Sequence, residues 1–158
     1  MVILPLNLAL NTFVFWLAAR LYVLPRLGDL KPQTVLVPIL LLHSTRHLGL
    51  MFLEPGATYA GMPWQFAYPA AYGDLIAAAF ALAAIPAVLK QGGLARPLVW
   101  MFNVEGTLDL FAAIALATVF QAPPTMGPAY WIPACWVPAL LVTHSITFVV
   151  LWRKDSWA

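Results

Sequence analysis

The sequence predicts an all-α integral membrane bundle of five transmembrane helices, with its N-terminus outside and its C-terminus cytoplasmic. Three observations carry that expectation. Of the 158 residues, 63% are hydrophobic and 9% charged, and the mean hydropathy is +0.85, whereas a soluble domain carries about 25% charged residues. The apolar residues gather into five stretches of about 20 residues, enough to cross a hydrocarbon core of about 30 Å. The loops between them alternate between basic and not basic.

The spans are expected at 3–24, 34–53, 66–89, 98–120 and 130–152, in a single transmembrane domain over 1–158. Turn chemistry separates them. Leu27-Gly28-Asp29 with Pro32 follows the first, and Glu54-Pro55-Gly56 with Gly61 and Pro63 the second. Gln91-Gly92-Gly93 follows the third, and Pro123-Pro124 with Gly127-Pro128 the fourth. Arg26 and Lys31 lie in the first loop, Lys90 and Arg96 in the third, Arg153 and Lys154 in the tail, while loops two and four have neither Lys nor Arg. Basic residues mark the cytoplasmic side, which requires an odd number of spans here. Met1–Leu4 carries no basic side chain ahead of the apolar run, so this segment reads as a retained anchor rather than a signal peptide. Tyr59, Trp64, Phe66, Tyr68, Tyr130 and Trp131 suit an interfacial aromatic belt at the outer end.

The net charge of +2 comes from these loops, and no basic run tracks phosphates, so no nucleic-acid partner is expected. The single cysteine, Cys135, excludes an intramolecular disulfide and a cysteine-based zinc cluster, and is expected to pack as a small hydrophobe. No internal repeat of the transporter kind and no nucleotide, flavin or phosphate motif is present.

Chemistry is expected where ionisable residues interrupt the spans. His43, Arg46, His47, Asp74, Glu105, Asp109 and His144 all do so. A charge near the bilayer centre costs on the order of 2.5–3.5 kcal/mol, so such residues are rare without a task. At 1.5 Å per residue, His43 and Asp109 fall near mid-span. His47 and Asp74 come out about 6 Å toward the outer side, Glu105 and His144 about 5 Å toward the inner side, and Asn11 about 4 Å outward. The pairs His43/His47, Glu105/Asp109 and Asn7/Asn11 are spaced i,i+4 and would each share a helix face, which lipid drives inward. Gly106 and Ala113 beside the acidic pair would allow close helix approach. Glu54, at a span end, is expected to be solvated.

Each feature has two readings. His43-Ser44-Thr45-Arg46-His47 can place two imidazoles on one metal, but lacks the glutamate of HExxH, and the alternative is polar packing between helices. Glu105 and Asp109 suit acid–base chemistry, or an Arg46–Asp pair that sets helix register. His144, among Thr143, Ser145 and Thr147, is a ligand or a hydrogen-bonded packing residue. Pro38, Pro86, Pro133 and Pro138 free carbonyls and could widen a cavity that Trp16, Trp100 and Trp136 would line.

The leading expectation is a membrane protein that binds a hydrophobic small molecule of isoprenoid, sterol or quinone type, and that can catalyse its proton-transfer isomerisation or cyclisation. Glu105 or Asp109 would move the proton, with His47, Asp74 and Arg46 completing the catalytic set, and Asn11, Trp100 and Trp136 would contact the ligand. A second reading is haem or a divalent metal held by His43 or His47 with His144. A third is a proton-coupled transporter or channel. Membrane lipids are the expected surroundings, and a homo-oligomer or a subunit role in a larger membrane complex fits so short a chain.

Overall fold

The computed structural model describes residues 3–153; Met1, Val2 and the tail 154–158, with its Asp155-Ser156-Trp157, lie outside the described residues. Five helices carry the chain back and forth: α1 (Ile3–Ala18), α2 (Pro32–Ser44), α3 (Trp64–Leu89), α4 (Ala95–Val119) and α5 (Val137–Trp152). Short 3-10 and π segments lengthen three of them, giving apolar stretches of Ile3–Arg26, Pro32–Leu53, Trp64–Leu89, Ala95–Val119 and Gly127–Trp152, each long enough to cross a bilayer. The expected spans therefore stand, with ends shifted by up to three residues.

α3 packs against α2 and α4, and α5 closes the bundle against α4 and α1. α1 is peripheral: 6% of its span is buried, against 50% of the last one. Small residues bring the central helices together, since Ala70, Ala71, Ala77, Ala78, Ala81 and Ala84 are the buried face of α3.

The loops pair at each end. Tyr59 N donates to Thr125 O and Ala129 N to Ala57 O, both at 2.9 Å, which ties loop two to loop four. At the other end Arg153 donates to Leu27 O and Gly28 O, and Arg96 Nη2 to Leu151 O at 3.1 Å. These arginines satisfy carbonyls that helix ends leave without partners. Gln91 and Gln121 take the left-handed conformation directly after α3 and α4, and Gly127 takes it again further along loop four.

Two irregular segments have local causes. Pro138 has no N–H to give to Ala134 O, its α-helical acceptor; the chain forms a π turn over Ile132–Trp136, and Asn11 Nδ2 of α1 donates to Ala134 O at 2.7 Å. The second half of span two, Thr45–Leu53, tightens into a 3-10 helix. At three residues per turn, His43, Arg46, Gly49 and Phe52 share the buried face.

Several expectations are corrected here. His47 does not share a face with His43: the 3-10 winding turns it outward, where it is exposed and its Nδ1 lies 3.1 Å from Ser44 O. Cys135 does not pack inside its helix but is exposed on the bundle surface. Phe66 belongs to the core rather than the aromatic belt, edge-on to Phe52 with ring centroids 5.0 Å apart, while Tyr59, Trp64, Tyr68 and Trp131 are exposed. Glu54 is exposed, as expected for a span end.

Candidate functional site

Helix geometry delivers one basic side chain to the middle of the bundle. Arg46 is 1% exposed. Its Nε donates to Asp74 Oδ1 of α3 at 2.7 Å and its Nη2 to Asp109 Oδ2 of α4 at 2.5 Å. Its Nη1 reaches Gly106 O and His144 Nε2, each at 3.2 Å. A guanidinium only donates, so His144 Nε2 accepts and the proton of this imidazole sits on Nδ1. Nδ1 faces Asn103 Oδ1 at 2.8 Å, and Asn103 Nδ2 returns to His144 O at 3.3 Å. Four helical segments thus converge on one buried ionic network.

Three glycines make the convergence fit, each on a segment facing the side chain it accommodates. A Cβ on Gly49 would collide with the Asp74 carboxylate, and one on Gly73 with that of Asp109. A Cβ on Gly106 would lie 2.7 Å from both Arg46 Nη1 and His144 Cε1. Gly106 therefore performs the close approach expected from the sequence, between α4 and both Arg46 and α5. Gly49, Gly73 and Asn103 carried no signal in the sequence reading, because nothing local marks a glycine or an asparagine that fits a side chain from another helix.

His43 stands beside this network. Its Nε2 lies 2.9 Å from Thr143 Oγ1, whose own proton goes to Ala139 O or Leu140 O, so Nε2 donates and Nδ1 is a buried acceptor without a partner. The ring packs on His144 at 4.3 Å and on Phe102 at 4.9 Å between centroids. Two imidazoles in direct contact leave no gap for a macrocycle, so the expected axial pair His43–His144 is not formed. Nor do the described residues hold a group of three or more His, Cys, Asp and Glu arranged for a metal ion.

Glu105 is half-buried on α4, and its Oε2 is buried without a hydrogen-bond partner. The structure brings Arg46, Asp74, Asp109 and His144 together, places Glu105 beside them without a bond, and leaves His47 out. Asn11 uses its donor on Ala134 O. Trp100 packs on Phe148 and Trp152, and Trp136 on Trp131.

A cavity of about 330 Å³ runs from this network toward loops two and four. Its walls are apolar and come from every span: Leu8, Phe52, Phe66, Ile114, Ala117 and Val137 are representative. Asp74 is its single ionisable lining residue; Thr118 and Gln121 lie at the far end. Asn11, Trp100 and Trp136 do not line it, and Trp16 lines a separate groove between α1 and α5. On the opposite side of the network, Leu36, Leu40, Val88, Val99, Phe102, Val150 and Leu151 form a continuous buried cluster.

Fold and site together define a multi-pass membrane protein of five apolar helices around a buried Arg/Asp/His network. Residues 3–152 match the family described as a domain of unknown function (DUF8737), and the chain belongs to that family. No curated protein matches it, and no solved structure does.

Proposed function

We propose that the protein binds a hydrophobic small molecule, an apolar body with one polar end, in the cavity above Asp74. The observation that carries this reading is the cavity itself: about 330 Å³ of apolar volume with one carboxylate at its floor. Ligand sites have this character, a mostly apolar cleft of about 300–1,000 Å³ with few polar groups to fix orientation. By the basic-residue pattern the cavity lies in the outer half of the membrane.

The catalytic form of this reading shifts the proton-handling group. Glu105 and Asp109 do not line the cavity; Asp74 does. Asp74 is therefore the carboxyl placed to take a proton from a bound molecule, with Arg46 and Asp109 holding the charge behind it. The packed cluster beneath the network supports binding or catalysis over passage, because the buried polar groups there are used within the bundle, Asn103 on His144 and Thr147 on Thr143 O, and the surrounding side chains are apolar.

Native mass spectrometry of protein extracted from membranes tests the reading. The wild type is expected to retain a bound hydrophobic molecule, and Ala117→Phe, which fills the cavity wall, to lose it. A wild type that carries nothing, and that takes up no isoprenoid alcohol, sterol or quinone when offered, would overturn it.

A further inference from the structure

Resting on that reading, we infer that the cavity selects molecules whose polar end is a hydrogen-bond donor, and among these prefers a protonated amine over a hydroxyl, while it disfavours carbonyl heads such as a quinone's.

The first ground is the direction of the hydrogen bonds. Arg46 is the donor-rich group nearest the cavity floor, but its side chain has no exposed surface. Its three nitrogens point at Asp74, Asp109, Gly106 O and His144. What the cavity meets is Asp74, whose side chain keeps 13% exposure and whose Oδ1 already accepts from Arg46. An ionised carboxylate only accepts. A carbonyl head finds no donor at that depth, and a hydroxyl or ammonium finds an acceptor.

The second ground is charge. One guanidinium faces two carboxylates, Asp74 and Asp109, and the half-buried Glu105 on the same face of α4 adds to the deficit. Both histidines are held in neutral arrangements, His144 by donating to Asn103 and accepting from Arg46, His43 by donating to Thr143. Among the described residues the other arginines and lysines lie outside the middle of the bundle, Arg96 and Arg153 at the far end. The cluster is short of positive charge, and an uncompensated buried charge costs several kcal/mol. A head that brings one positive charge to Asp74 supplies the balance. A bare metal ion does not suit the place, since hard cations take six or more oxygen ligands and the walls are apolar.

Size limits the body. Along α4 the lining runs from Leu110 to Thr118, about 12 Å at the helical rise, and continues to Gln121 just past the helix end. One extended chain or a compact ring system fits that length.

The test uses the full chain in phosphatidylcholine nanodiscs, with decylamine, decanol and methyl octyl ketone as probes and melting temperature against probe concentration as readout. Decylamine is expected to stabilise the wild type at concentrations about 10- to 100-fold below decanol, and the ketone to be weakest, as for a hydrogen bond to a charged group. Asp74→Asn and, separately, Asp109→Asn should each remove the amine preference while decanol binding persists; because either substitution balances Arg46, the conclusion does not depend on one variant folding. Equal response to alcohol, ketone and amine, abolished by Ala117→Phe or Leu8→Trp, would overturn the head-group inference and leave the cavity reading standing. An amine effect unchanged in those filled variants would also overturn it, as partition into the bilayer. No response to any probe would overturn both.

Discussion

The two halves of this bundle are built from the same apolar alphabet and solve opposite problems. Toward loops one and three, Leu36, Leu40, Val99, Phe102, Val150 and Leu151 interlock with the alanine face of α3 in one buried cluster. The arginines at that end donate to the carbonyls of Leu27, Gly28 and Leu151. Toward loops two and four, the same helices diverge around an apolar cavity, and those two loops are tied to each other by backbone hydrogen bonds. Between the halves sits Arg46, which meets two carboxylates. The comparison teaches that an arginine at a helix end completes the backbone, whereas an arginine at mid-membrane organises side chains, because only there is every ionic partner drawn from a different helix.

Removing that organiser should give the largest effect. Arg46→Met leaves Asp74 and Asp109 buried without a counter-charge, a change that costs about 3–5 kcal/mol for buried pairs. We expect a large drop in melting temperature in detergent, substantially restored when Asp74→Asn and Asp109→Asn are added. A single Arg46→Met variant as stable as the wild type would show that the network does not hold the two halves together.

Next come the glycines. Gly73→Ala and Gly106→Ala each place a methyl group where Asp109, or Arg46 and His144, now sit, and overpacking of this kind costs about 1–3 kcal/mol. Gly28→Ala and Gly92→Ala, whose surroundings are open, should change stability by less than about 0.5 kcal/mol. Thermal unfolding of the four variants side by side checks the contrast, and equal effects would refute it.

The smallest expected effect concerns the peripheral helix. Asn11→Ala removes the donor to Ala134 O, and interhelical hydrogen bonds in membranes average about 0.6 kcal/mol. A shift of that size, with α1 more open to protease or cysteine labelling while the α2–α4 core is unchanged, is the expected outcome. Loss of the whole fold would mean that α1 is part of the core after all.

Much of the architecture was legible in the chain. The five candidate spans follow from hydropathy and turn residues, and a shared layer for Asp74, Asp109 and His144 follows from counting residues along each span. The composition of the site was less so. The i,i+4 pairing of His43 with His47 assumed an α-helix, and the change to three residues per turn at Thr45 replaced His47 by Arg46 on the inner face. Asn103 looked like one polar residue among many, and becomes specific only opposite the ring of His144. Trp100 and Trp136, expected in a cavity wall, pack against other aromatics instead.

By itself the sequence determined that the chain forms five apolar segments long enough to cross a bilayer and that charged groups within them are driven inward, because lipid offers neither hydrogen bonds nor counter-charge. Only the tertiary structure decided which of those groups meet. That depends on helix rotation and on the closeness of approach set by Gly49, Gly73 and Gly106, and both arise from contacts between segments far apart in the chain.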